Sequence, residues 1–450
     1  MRGFGTSRKM PFQVTPKESV FEECEKVMNE ARRYYHGKGV KKDVKKAIEK
    51  WTWAANRGHS NSQYDLGLVF TLGNGLLVDW EKAVEYWTAA AQQGHSEAQY
   101  ELAICYQNGE GTKLSWEKAA ELYNLAAIQG HKDAQCSLGY CYEQGMGVNI
   151  DTKKAFELFT AAASQGSMHA QYNLSLMYAK GTAVEVNNQK AVELAIAPAN
   201  KGYANAQCVL ANYYFTGKGV PQDFKEAAKW YSASAKQGQI NAQCNLGICY
   251  WEGKGVEADP KKALRLWQAI ADTANDSLSI SEIQGYCLAL YKLARCYENG
   301  IEIERDMKKA VELYTAAVKQ GDSYSQHELG ICYAEGKGVE VDLKKAVELY
   351  TAAANQGIPE SQLEVAYCYY YGRGVEVDWK RAVEFFLKSA EQGNSKAQVH
   401  LAYCYHVGKG VKANLQEAEK WYTASANQGN AYAKKNLLKV QVKRISQIKL

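Results

Sequence analysis

Residues Ser323–Gly357 read SYSQHELGICYAEGKGVEVDLKKAVELYTAAANQG. Apolar residues at Leu329, Ile331, Cys332 and Tyr333 give a helical face, and the run stops at Gly336-Lys337-Gly338. Glycine just past a periodic run is a stop signal, because it enters the left-handed region without a Cβ penalty. Asp342 follows, with a short side chain that accepts from an orphan N–H at a helix start. A second apolar run then stops at Gly357. The stretch predicts a helix, a glycine turn and a second helix.

The same reading fits most of the chain. The anchor glycines are Gly37, Gly73, Gly109, Gly145, Gly181, Gly217, Gly253, Gly300, Gly336, Gly372 and Gly408. Every step is 36 residues except one of 47, where eleven residues are inserted. The start of the second helix is an N-cap type in every copy, from Asp43 and Asp79 to Asp378 and Asn414. Alanine follows four residues later in every copy, from Ala47 to Ala418, which predicts close helix approach. An aromatic stands three residues before each anchor, from Tyr34 to Tyr405, and is assigned to the core between repeats. A fixed period of this size means stacked helix pairs, each burying its apolar stripe on its neighbours. Such an array presents a long surface in place of one deep pocket.

The segments AQYELAICYQNGEG (98–111), AQCNLGICYWEGKGV (242–256) and DLKKAVELYTAAANQG (342–357) resemble the Sel-1-like repeat family, relatives of tetratricopeptide repeats. The resemblance spans roughly residues 17–436. It implies an all-α, right-handed α/α superhelix of about eleven 36-residue helix-turn-helix repeats. It also implies an adaptor or scaffold that binds a partner protein along the concave face. By analogy with tetratricopeptide arrays, the first helix of each pair lines that face. A second role within the family is a regulatory or activating subunit of a membrane-associated enzyme or a protein-degradation complex.

Composition narrows the function further. The formal charge is +5 over 450 residues and no polybasic run interrupts the array, so nucleic acid is not indicated. The N-terminal MRGFGTSRKMPFQVTP lacks the apolar core of a secretion signal, and no stretch is long and apolar enough for a membrane span. Of twelve cysteines, seven share one repeat position and three another. Equivalent positions in adjacent repeats lie about 20 Å apart, twice the usual interaxial distance, far beyond disulfide reach. The expectation is free thiols, a cytoplasmic setting, and no metal or cofactor. Ser115-Trp116-Glu117-Lys118 matches S-x-x-K, but Ser115 stands at the N-cap position and the companion motifs are missing. No enzyme is expected.

Departures from the pattern supply the candidate residues. Most copies carry small or polar residues just before the anchor glycine, whereas Tyr35, Phe215, Trp251, Tyr370 and Tyr371 are aromatic. These five are the candidate partner-binding residues, since exposed aromatics anchor interfaces; extra core packing is the competing reading. In the fifth unit Ala183 replaces a turn glycine, Ala195 replaces the second-helix aromatic, and Pro198 is expected to kink its helix. That unit reads either as a decayed repeat or as a bend. The insertion near 272–286 is expected to lengthen the next first helix, with Ser279 and Glu282 as its capping box. Residues 1–15 are assigned as disordered, 16–429 as the solenoid and 430–450 as a basic capping helix with an apolar stripe at Leu437, Leu438, Val442, Ile445 and Ile448. A basic residue three after the N-cap recurs in nine copies, its stem expected to pack and its head to stay solvated.

Overall fold

The computed structural model describes residues 16–73, 77–273 and 278–448. Segment 1–15 and residues 274–277 of the insertion lie outside the described residues. Among the described residues there are twenty-three α-helices and no strand. They fall into two compact units that divide between Pro221 and Gln222.

In the first unit the first helices are α1 (Pro16–His36), α3 (Ser60–Leu72), α5 (Ser96–Asn108), α7 (Lys132–Gln144), α9 (Met168–Lys180) and α11 (Ala204–Thr216). Their partners are α2 (Val44–Ala55), α4 (Trp80–Gln92), α6 (Trp116–Ile128), α8 (Thr152–Ser164) and α10 (Asn188–Asn200). The second unit begins with α12 (Phe224–Ala235). Its first helices are α13 (Ile240–Glu252), α15 (Ile280–Asn299), α17 (Ser323–Glu335), α19 (Pro359–Tyr371) and α21 (Ser395–Val407). They pair with α14 (Pro260–Ala271), α16 (Met307–Lys319), α18 (Leu343–Asn355), α20 (Trp379–Glu391) and α22 (Leu415–Asn427), and α23 (Ala431–Ile448) closes the unit.

Each turn is a clasp. The anchor glycines adopt φ between +60° and +77°, where a Cβ is disfavoured. The N-cap N–H of the second helix donates to the carbonyl of the anchor aromatic, as in Asp43 to Tyr34 and Asp342 to Tyr333, both at 2.9 Å. The N-cap side chain then accepts from the third helical N–H, at 3.0 Å from Lys46 to Asp43. That third residue brings its cation over the anchor ring: Lys46 lies 4.4 Å from Tyr34 and Lys345 4.3 Å from Tyr333. In most copies the recurring aromatic is therefore half-buried beneath a cation of its own repeat; Glu226 and Glu417 take the lysine's place in two. The recurring basic head lies over that ring and stays largely exposed, at 56% for Lys82 and 58% for Lys154.

The core ring comes from the second helix. Trp51, Trp87, Tyr123, Phe159, Tyr231, Trp267, Tyr314, Tyr350, Phe386 and Tyr422 are at most 3% exposed. The repeated alanine beside them is at most 1% exposed in every copy. At Gly67 an added Cβ would stand 2.2 Å from Trp87, so the large ring is accommodated by a missing side chain.

A ladder of glutamines joins successive repeats. Gln99 donates to the carbonyl of Ala91 at 3.1 Å and accepts from Gln129 at 2.8 Å. The same two bonds recur at Gln135 with Ala127 and Gln165, and at Gln398 with Ala390 and Gln428. In the fifth unit the donor position is Lys201, and the buried Gln171 Oε1 has no partner among the described residues.

That unit is otherwise repaired. Ala195 leaves the ring position empty, and Tyr213, buried at 6% exposure, reaches back from α11. Its hydroxyl lies 3.5 Å from Ser175 Oγ, at the place where Gly67 meets Trp87 in another copy. Pro198 lies inside α10, which continues for thirteen residues. Pro198 sits in its last turn, where little helix remains to be displaced. Ala183 keeps the turn at φ +63°, as Glu302 does at +59°.

The insertion extends α15 to twenty residues, capped by Ser279 N–H donating to Glu282 at 3.1 Å. At the chain end, α23 turns Ala433, Asn436 and Val440 inward, while Leu438 and Val442 are 66% and 65% exposed. Of the expected apolar stripe, Leu437 packs against the core while Leu438 and Val442 face outward, and the side chains of Ile445 and Ile448 lie outside the described residues. The inward face is set by Glu419 of α22, which accepts from Arg444 and from Gln441.

Candidate functional site

In the second unit α19, α21 and the first turn of α23 lie side by side and enclose an open cleft of about 760 Å³. Its walls are aromatic. Tyr367 meets His400 edge-on at 5.0 Å, and His400 stacks on the buried Phe386 at 5.3 Å and 11°. Tyr370 and Tyr371 cross at 4.8 Å. Tyr403, Tyr371 and Tyr432 stand at the rim, 36%, 53% and 54% exposed. Val399, 8% exposed, lies on α21 below them.

Burial pushes the Tyr367 and Tyr370 hydroxyls up to about 12, so both are neutral donors. Burial also lowers His400 below the ordinary imidazole value and keeps it uncharged. The cations of the lining are Lys396 and Lys409. Lys409 lies 4.2 Å from the Tyr370 ring and 4.5 Å from Trp379. Trp379 in turn donates to the Tyr370 carbonyl at 3.3 Å. Glu364, one turn before Tyr367, is raised by burial against the opposing pull of Arg373 and Lys396.

Of the sequence candidates, Tyr370 and Tyr371 fall in this cleft. Tyr35 and Trp251 lie elsewhere, each half-buried over the core ring of its own repeat: Trp51 at 5.3 Å and Trp267 at 5.5 Å. Tyr370 repeats the relation with Phe386 at 6.0 Å. The position two before the anchor glycine thus lies over the core ring, which is why these three are only half-exposed. Phe215 is half-buried on α11. Tyr371, one residue closer to the glycine, is exposed.

Sequence reading missed Tyr367, Tyr403 and Tyr432. The first two share a signal, five residues before Gly372 and Gly408, where other copies have Ile248, Asn212 or Ile331. Tyr432 precedes no anchor glycine and gave none. Elsewhere, Ser115 caps α6 by accepting from Lys118 N–H at 3.3 Å, while the Lys118 head lies over Tyr106. Among the described residues no cluster of His, Cys, Asp or Glu could hold a metal, and no helix is long and apolar enough to cross a membrane.

Paired helices, glycine clasps and a surface cleft define a helix-turn-helix repeat protein of the α/α solenoid class. Eleven consecutive segments, from 31–59 to 395–430, match the Sel1 repeat, and the chain belongs to the Sel1 repeat family. Among solved structures it is similar to c5321 of uropathogenic Escherichia coli, described as a protective antigen displaying an SLR fold. Identity is 32% over 96% of this chain and 91% of that one, with a TM-score of 0.70. A Sel1 repeat protein from Oxalobacter formigenes is 29% identical over 74% of this chain and 91% of its own, with a TM-score of 0.49. An immunity protein of Pseudomonas aeruginosa, Pa5087, is 22% identical over 51% of this chain and 81% of its own, with a TM-score of 0.31. No curated protein matches the chain.

Proposed function

We propose that the chain is a non-catalytic scaffold that binds a partner protein along the face built by the first helices, the side that the tetratricopeptide analogy makes concave. The observation that carries this reading is the aromatic cleft between α19, α21 and α23. Tyrosines that offer an apolar ring and a polar tip are typical interface anchors. Tyr370 and Tyr371 belong to it; Tyr35, Phe215 and Trp251 are proposed as further contacts in their own units. The non-catalytic part is supported by the use of Ser115 and Lys118 in capping and cation stacking. A cytoplasmic setting accords with twelve free thiols, eleven of them buried. No observation favours the regulatory-subunit alternative.

The test is affinity capture from cytosolic and membrane fractions with the full chain and with Tyr371→Ala and Tyr403→Ala. Far-UV circular dichroism confirms that both variants fold. Partners held by the parent and released by both variants are expected. A partner retained at full yield by both variants, and by alanine at Tyr35, Phe215 and Trp251, refutes the reading.

A further inference from the structure

We infer that the cleft between α19, α21 and α23 takes an acidic peptide segment of a partner protein, one that carries an aromatic or aliphatic side chain among its acids. The inference rests on the scaffold reading and adds the chemistry of what is bound.

Size and lining set the first half of that statement. A cleft of about 760 Å³ is the size of a typical ligand site and holds a few side chains. Its rim rings at Tyr371, Tyr403 and Tyr432 are exposed, and Val399 lies below. An apolar side chain inserted there removes ring area from water. The neutral Tyr367 and Tyr370 hydroxyls can donate to carboxylates.

Charge sets the second half. Lys396 is exposed at the cleft and Lys409 lines it, whereas the nearby His400 is neutral. Arg373 adds a third cation, 5.3 Å from the Tyr371 ring. Lys435, one turn beyond Tyr432 and on the same side of α23, is exposed. Against these stands Glu364, which Arg373 and Lys396 already offset. A tyrosine cleft often attracts a cation through its ring faces. Here that role is taken: Lys409 sits over Tyr370 and Trp379. A cationic ligand would meet both an occupied ring face and like charge. The chain's own segment 1–15 carries Arg2, Arg8 and Lys9 and no acid, so it is not the complement.

The test begins with selection of random displayed peptides on the full chain. Enriched peptides are then synthesised with a fluorescent label and titrated by anisotropy. Peptides with several Asp or Glu around an apolar residue are expected. Lys396→Glu and Tyr432→Ser should each weaken binding about tenfold, the value of one charge-assisted contact. Binding should also fall as salt rises. Lys396→Gln checks that loss does not depend on new repulsion with Glu364. Both side chains are exposed, so melting temperatures should hold. In a Lys396→Glu, Lys409→Glu chain, peptides with Lys in place of the acids should regain affinity. Winners that are neutral or basic, or that bind cleft variants unchanged, overturn the inference and leave the scaffold reading in place. Self-association abolished by Lys396→Glu, without peptide binding, replaces the peptide by a second copy. A selection that yields no binder on the folded chain overturns the inference, and the scaffold reading then stands or falls with the capture experiment.

Discussion

Gln171 is where one chain of side-chain amides stops. Its Oε1 is buried without a partner among the described residues, because Lys201 stands where other repeats have the donating glutamine. A buried acceptor left unmade costs roughly 1–3 kcal/mol. Lys201→Gln should therefore raise stability by about 1 kcal/mol, read as a higher urea midpoint at unchanged slope. An unchanged midpoint would mean that the amide cannot reach across the repeat. The ladder was legible in outline, since a glutamine precedes the closing glycine in most copies. Its partner is thirty residues earlier, as Gln129 to Gln99, and only the stacking distance brings the two together. The recurring lysine posed the same difficulty. Lys345 meets Tyr333 twelve residues back across a turn, and a helix-dipole argument applied to the lysine alone predicts only an unfavourable charge.

Helix pairs were read well because glycine stops and N-caps act locally, which is why α1 and α15 emerge long, as their sequences suggest. What failed was what depends on a neighbour. Ala195 reads as a loss until Tyr213 is seen to reach back from the next helix. Removing that ring should cost about 3–5 kcal/mol in Tyr213→Ala, the usual price of an aromatic-sized void. In Ala195→Phe the second ring should be destabilising alone and tolerated with Tyr213→Cys. Additive effects in that double-mutant cycle would deny the shared space. A second prediction concerns helix starts. His95 caps α5 by accepting at Nδ1 from Ala98 N–H, at 3.2 Å, which requires the neutral ring. Burial, outweighing the pull of Glu97, lowers its folded pKa below 6.5. The unfolded chain then binds the proton more readily. The contribution is intact above pH 6.5 and is lost as pH falls below it. Asn394 caps α21 in the same way without titrating, at 3.1 Å. His95→Asn should therefore shrink the drop in thermal midpoint between neutral and mildly acidic buffer. An equal drop in both proteins would remove His95 from the account.

At the scale of the molecule, both units hold their cysteines alike. All twelve are free, eleven are buried, and burial pushes thiols such as Cys141 and Cys249 up to about 11 and Cys105 and Cys404 up to about 12. Native chains should alkylate slowly, whereas unfolding without reductant should expose twelve labelled sites to mass spectrometry. Sites missing in pairs would show disulfides. The candidate cleft was legible only where a residue broke the pattern. Tyr371 stood out against ten other copies and Tyr370 against seven; Lys396 and Tyr432 are ordinary residues made neighbours by stacking. The glutamine ladder has one more consequence. Each rung donates in the same direction along the chain, from a later repeat to an earlier one. Where both neighbouring repeats carry the rung, a tandem duplication or deletion of one whole period rejoins donor to acceptor in phase. The gene can thus lengthen or shorten its product there by unequal recombination, and the seam stays closed across the new join.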